Sequence, residues 1–510
     1  GVGNLVFTGD VDDPDTLRTL QGLGFQRPSD ICRVIRGWHF GRYRVTQSAE
    51  ARERLTELTP ALLRAFGQTR RADEALMRFD EFLAGLPAGI QLFSLLQSNP
   101  ALLKLLATIM GAAPRLAAII TRRPHVFDGL LDPALLSELP DRAYLSARLS
   151  AFIEGDRAYE DVLDRLRIFA AEQKFLIGVR LLAGSIDPSR AGRAFSDLAD
   201  LTIEASLRAV MAEFASRHGN IAGGKVSLLG MGKLGSRELT AGSDVDLILL
   251  YDHDADADES DGEKPLAPSH YYTRMTQRLI AAVSAPTAEG VLYELDLRLR
   301  PSGNKGPVAT HIDSFKKYQR QDAWTWEHMA LARARAMAGD EALGREVEAE
   351  VAALLALPRD AAKVKAEASD MRAMIEAEKP ARDLWDIKLV PGGLIDLEFI
   401  AQVAVIIGQL EPGPRVTGTA QILSRLSPSF AEADVKQELG EAYSLYLAVT
   451  QMTRLCLTGV FEREDVPPGL SDLLLAVTDL PDFGVLEAHL KETSRKVRQD
   501  FDLLLRAKRS

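Results

Sequence analysis

The chain has 510 residues, of which 46% are hydrophobic and 26% charged, and its formal net charge is −11. That length exceeds one ordinary core and sets an expectation of two or three domains in a soluble globular protein. Binding a long polyanion depends on Lys and Arg neutralising phosphates, so the acidic balance argues against nucleic acid and favours a nucleotide used with a protein or small molecule. The two cysteines, Cys32 and Cys456, form no ligand-spaced set. They point to a reducing, cytoplasmic setting and exclude a cysteine zinc site.

In chain order, residues 1–200 read as helix after helix. Asp13-Pro14 starts one that Gly22 or Gly24 stops, and Arg27-Pro28-Ser29-Asp30 starts the next. Stretches 48–66, 72–86, 90–97 and 101–110 carry apolar residues at three-and-four spacing, punctuated by Pro100, Pro114, Pro124 and Pro133. The most apolar segment, 101–121, is interrupted by Lys104, Pro114 and Arg115, which suits a packed helix pair and no membrane span. No signal peptide is visible, and a start at Gly1 suggests a piece of something longer.

Longer helical patterns at 160–182 and 196–216 lead into the most informative stretch. VSLLGMGKLG (226–235) is an apolar run ending in glycines, SRELTAGS follows, and DVDLILLY (244–251) reads as a strand. Further on, YELDLRLRP gives a third strand over 291–299. Alternation puts Asp244 and Asp246 on one face, and Glu294, Asp296, Arg298 and Arg300 on one face of theirs. Three carboxylates can then converge beside a glycine turn. Backbone N–H groups in such a turn can cradle phosphates, and aspartates two apart can bind Mg²⁺, which prefers oxygen ligands. Two ions so held would clamp the attacking and leaving oxygens of an in-line displacement, the outline of a nucleotidyltransferase palm.

Gly230, Gly232 and Gly235 also spell GxGxxG, the fingerprint of a dinucleotide-binding oxidoreductase. Only 236–243 separates that turn from the next strand, too short for a crossover helix, and a buried parallel strand should not begin with two aspartates. The acidic run from Asp252 to Glu263 reads as a solvated loop, and its calcium-loop spacing fails at Ala257, where glycine is needed. A helix is expected over 270–285, a flexible turn over 302–306 with Lys305 at its tip, and helix again over 313–337. Residues 341–510 read as a helical bundle broken at Pro391-Gly392-Gly393 and Pro467-Pro468-Gly469. Trp324 and Trp326 are read as packing anchors, His328 as a surface or satisfied core histidine, and Asp396 and Glu398 as acids favoured by a helix dipole.

The expected architecture is α+β and predominantly helical: an N-terminal helical region (1–200), a small palm sheet (201–340) and a C-terminal bundle (341–510). Gly232-Lys233, ten further residues and Asp244-Val-Asp246 resemble the polymerase-β-like nucleotidyltransferase superfamily, with Lys233 in place of its usual serine. Within it, GMGKLGSRELTAGSDVDLILLYD, YELDLRLRPSGNKGPV, AWTWEHMALARARA and DIKLVPGGLIDLEFIAQ are together similar to the glutamine synthetase adenylyltransferase/adenylyl-removing family. Gly242-Ser243 and Trp324 to His328 look more like its C-terminal, adenylylating half.

The resemblance implies transfer of AMP from ATP to a tyrosine of glutamine synthetase, with a PII-type signalling protein as partner and glutamine as effector. It implies Asp244, Asp246 and Asp296 as catalytic Mg²⁺ ligands and Gly232, Lys233, Gly235 and Ser243 at the nucleotide. Arg298, Arg300 and Lys305 would face pyrophosphate. The removing half, which would cleave AMP from the tyrosine by phosphorolysis and release ADP, and a non-catalytic regulatory module are the alternatives.

Overall fold

The apolar run that follows Gly224 forms β1 (Lys225–Met231), buried along its whole length after the first residue. Burial of consecutive side chains means that both faces are covered, as the unbroken hydrophobicity requires. β2 (Val245–Asp252) returns antiparallel, pairing Met231 with Asp246 and Lys225 with Asp252. On the other side of β1 lies β5 (Arg335–Gly339), also antiparallel. The outer edge of β2 is shared by two short parallel strands, β3 (Leu295–Asp296) and β4 (Ala309–His311). The sheet order is therefore β3-β2-β1-β5, with β4 beside β2. Helices Pro188–His218, Pro268–Ser284 and Glu341–Leu355 pack around it.

This is a computed structural model, and it describes residues 5–7, 9, 11–131, 139–466 and 468–506. The expected breaks at Pro133 and Pro467 lie outside those residues. Contacts divide the chain into two units. The first comprises 1–139, 174–187 and 451–483; the second comprises 140–173, 188–450 and 484–510 and holds the whole sheet.

The first unit is helical. Asp13 caps helix Pro14–Leu23 by accepting from the Thr16 N–H, and Gly24, at φ +115°, ends it in the left-handed region that glycine tolerates. Ser48 likewise caps Ala49–Gly67. The apolar pair Ile90–Ser98 and Pro100–Ala112 bends by 109° at Asn99. Leu96, Leu102, Leu106, Ile109 and Met110 are buried, so the hydrophobicity serves the core. Among the described residues no single helix is long and apolar enough to cross a membrane.

Three sequence-based expectations change in the second unit. The third strand is two residues long, not nine. Leu292 and Tyr293 donate their N–H groups to Val283 O at a helix end, and after Asp296 the chain turns as Arg300 N–H donates to Leu297 O. Arg298 and Arg300 therefore leave the strand, and their alternation with Asp296 carries no shared face. Next, the run 313–337 breaks into helices Ile312–Gln321 and Thr325–Leu331 and then β5, because the open edge of β1 offers ladder partners that a helix over Ala334 to Met337 would leave unmade. Lastly, Trp324 and Trp326 are not packing anchors. Trp324 is 71% exposed at the helix N-cap and Trp326 is 38% exposed, since the short helix buries Glu327, Met329 and Leu331 instead.

Beyond Asp252, which ends β2, the acidic run to Glu263 is irregular, as expected, yet it is pinned rather than free. Asp261 accepts from the Asn220 N–H at 2.8 Å and Ser260 is buried. Gly219 and Gly223, both at positive φ, make room for Asp261 and Asp254. His328 is a satisfied histidine, bonded to Gln319 O and Arg359, and burial lowers its pKa.

Candidate active site

Between β1 and β2 the chain needs to reverse in few residues. Gly232 takes φ +53°, a one-turn helix Gly232–Gly235 follows, and the Thr240 to Ser243 turn delivers β2. The Ser243 hydroxyl is spent locally, on Thr240 N at 3.0 Å and Thr240 Oγ1 at 2.7 Å. Antiparallel pairing of β1 with β2 and the single helical turn leave no βαβ crossover, which removes the dinucleotide-binding reading of GxGxxG.

The Gly232 Cα stands directly against a carboxylate: a Cβ there would overlap Asp246 Oδ2. Across the parallel register Asp246 lies opposite Asp296. The Asp246 carboxyl is half-buried, and its pKa is pushed up to about 6, first by burial and then by the negative charge of Asp296, against the opposing pull of Arg333. Asp244, two residues earlier, is exposed. Asp296 behaves in the opposite way. Arg298 donates to both its oxygens, with Nη2 at 2.6 Å from Oδ2, and this holds its carboxyl below the usual range.

The remaining sequence candidates separate by environment. Lys233 lines a small cavity with Glu238, Thr240, Arg333 and Glu398. Gly235 is buried, and a Cβ there would overlap the Arg333 carbonyl, so its use is close packing of the turn against the chain entering β5. Arg300 is 8% exposed and donates to Leu297 O and Gly306 O, supporting the turn after β3. Lys305 is exposed in the 3₁₀ turn Gly303–Lys305.

Two cations that sequence reasoning did not place here face Asp246: Arg333 and Lys388, both of which favour its charged form. Arg333 sits in a stretch read as helix, and Lys388 in a loop before helix Leu394–Ile406; neither carried a spacing signal. Asp396, read as a dipole-favoured acid, is fully buried, paired with Arg372 Nε at 2.5 Å and accepting from the Gly392 N–H at 2.7 Å. It therefore anchors the loop that carries Lys388, while Glu398 turns to Arg333.

Asp244, Asp246 and Asp296 offer only oxygen donors, the kind a hard divalent cation prefers, and the Asp246 carboxyl is disfavoured as an anion first by burial and then by the negative charge of Asp296. Among the described residues no three acidic, histidine or cysteine side chains already stand close enough to hold an ion. The physical reason is visible at Asp296, which is turned onto Arg298.

Strand, glycine turn, single helical turn, Asp-x-Asp strand and a third carboxylate on the adjoining parallel strand define a nucleotidyltransferase palm, here set in a predominantly helical α+β chain. Comparison with known proteins narrows the class. Residues 103–350 match the family described as glutamate-ammonia ligase adenylyltransferase, and 369–455 match that described as GlnD PII-uridylyltransferase. The chain is 88% identical, over 509 residues, to the bifunctional glutamine synthetase adenylyltransferase/adenylyl-removing enzyme of Mesorhizobium japonicum, covering 100% of this chain and 52% of that one. The enzymes of the same name from Brucella melitensis and Agrobacterium fabrum are 65% and 61% identical, over 99% and 98% of this chain and 51% of each relative. The chain belongs to this family and spans about half the length of the curated relatives it matches.

Proposed function

We propose that the chain is an adenylylating enzyme, moving AMP from ATP to a tyrosyl hydroxyl of glutamine synthetase and releasing pyrophosphate. The observation that supports it most is the placement of Asp246 opposite Asp296 beside the Gly232 turn. Asp244, Asp246 and Asp296 are the residues that would hold Mg²⁺, which when bound would neutralise phosphate charge. Asp296 takes the proton of the tyrosyl hydroxyl as its oxygen bonds the α-phosphorus and the bond from that phosphorus to the bridging oxygen breaks. Arg298, 71% exposed at its side chain, is free to swing from Asp296 toward the departing pyrophosphate. Backbone at Gly232 and the Lys233 side chain would meet the nucleotide phosphates, with Ser243 shaping the turn and Lys305 at the mouth.

A PII-type protein as partner and glutamine as effector are proposed on the family resemblance alone. The reverse chemistry, phosphorolysis of AMP-tyrosine, would use the same carboxylates. Intact mass of unmodified glutamine synthetase after incubation with this chain, ATP and Mg²⁺ decides between the directions. A gain of one AMP per subunit, absent with Asp246→Asn, is expected. No gain, together with release of ADP from AMP-modified glutamine synthetase plus phosphate, would assign the removing direction instead.

A further inference from the structure

The small cavity beside the Gly232–Gly235 turn is walled by three different parts of the second unit, one of them helix Ala433–Cys456 through Tyr443 and Leu447. Lys233, Glu238 and Arg333 come from the sheet region, and Leu394 and Glu398 from the first turns of helix Leu394–Ile406. Arg333 and Glu398 meet there as a loose fork, Nη1 to Oε1 at 3.4 Å and Nη2 to Oε2 at 3.5 Å, with side chains only 15% and 18% exposed.

The Arg333 backbone is fixed against the turn, since Gly235 leaves no room for a Cβ under its carbonyl. The same turn is held from outside as Thr417 Oγ1 donates to Gly235 O and Thr419 N–H to Glu238. Arg333 is thus a cation whose main chain packs closely against the turn and whose side chain pairs with Glu398.

Its charge reaches both Asp246 and Glu238. Glu398 lies one turn into helix Leu394–Ile406, so its backbone is held by that helix whether or not Arg333 stays on its carboxylate. A guanidinium so placed has the planar donor fork that matches phosphate oxygens, whereas a carboxylate pair at 3.4–3.5 Å uses it poorly.

We infer that Arg333 binds the terminal phosphates of the nucleotide, approaching from the Lys233 side of the turn opposite Arg298, and that Glu398 is a positioning residue that aims it. This deepens the nucleotidyltransferase reading and rests on it. Arg298 and Arg333 then have separate duties: Arg298 follows the third carboxylate, and Arg333 reads the triphosphate before reaction.

Titration calorimetry of the full chain with ATP and with AMP, in Mg²⁺ and without acceptor protein, tests this. Replacing Arg333→Met should weaken ATP binding by about tenfold or more and AMP binding by less than about twofold, because a charge-assisted bond to the terminal phosphates is lost. Glu398→Gln should weaken ATP by roughly threefold, and Arg333→Lys should recover part of the loss by keeping the charge without the fork. Arg333→Lys carries the test by itself if the methionine variant does not fold.

Unchanged ATP affinity in Arg333→Met, or equal losses for ATP and AMP, would overturn the inference while leaving the proposed function standing. Failure of the wild-type chain to bind ATP at all would overturn both.

Discussion

Replacing each of the two glycines of the turn by alanine separates catalysis from folding. At Gly232 the added Cβ meets Asp246 Oδ2 and the backbone sits at φ +53°. The positive φ costs an L residue roughly 1–2 kcal/mol, and the obstacle is the end of a side chain that can rotate away. Gly232→Ala should therefore fold with a loss of that size but displace Asp246 and reduce AMP transfer by roughly 100-fold or more, the scale on which misplaced catalytic groups act. At Gly235 the obstacles are the carbonyls of Arg333 and Gly230, with the second 2.5 Å from the new Cβ. Backbone on both sides cannot yield without moving β5 or β1, so Gly235→Ala should cost about 3 kcal/mol or more in stability. Chemical denaturation of both variants, with the mass assay for AMP on glutamine synthetase, reads the two effects separately. Near wild-type transfer by Gly232→Ala, or undiminished stability of Gly235→Ala, would refute the reasoning.

Asp246→Asn should abolish transfer and, in the absence of divalent cation, stabilise the chain by roughly 1–3 kcal/mol by removing a carboxylate disfavoured first by burial and then by the charge of Asp296, as urea unfolding in EDTA would show. Asp500, buried beside Glu438, has its pKa pushed up to about 7 by desolvation and then by its bond to that carboxylate. A raised acid contributes stability below about pH 4 that is lost as pH rises through about 7, so unfolding free energy should fall by on the order of 2–4 kcal/mol between those limits and Asp500→Asn should flatten the profile. Asp200 is fully buried and holds Arg335 at 2.7 Å and Arg142 at 2.7 Å. Asp200→Ala leaves Arg335 buried beneath the palm turn without its carboxylate and should cost about 3–5 kcal/mol; a loss under about 1 kcal/mol by calorimetry would refute that role.

Local chemistry made part of this protein legible in its sequence. Asp13-Pro14, Ser48 and Gly24 mark helix ends because caps and left-handed backbone are decided within a few residues. The unbroken apolar runs of β1 and β2 announce burial on both faces, and the short Gly232 to Ser243 connection fixes an antiparallel return that brings Asp246 beside the glycine. Nothing local could foretell that β3 would stop after Asp296, because its length depends on how the β2 edge is shared with β4. Nor could periodicity tell a helix from a strand at Arg333 to Met337, where the open edge of β1 decided. Composition likewise could not show that Trp324 would lie exposed or that Asp396 would be buried between Arg372 and Arg498. Asp244, Asp246 and Asp296 could be proposed as a group from the chain itself. The cations near Asp246 could not, because Arg333 and Lys388, and Glu398 beside Arg333, are brought there only by the packing of distant segments.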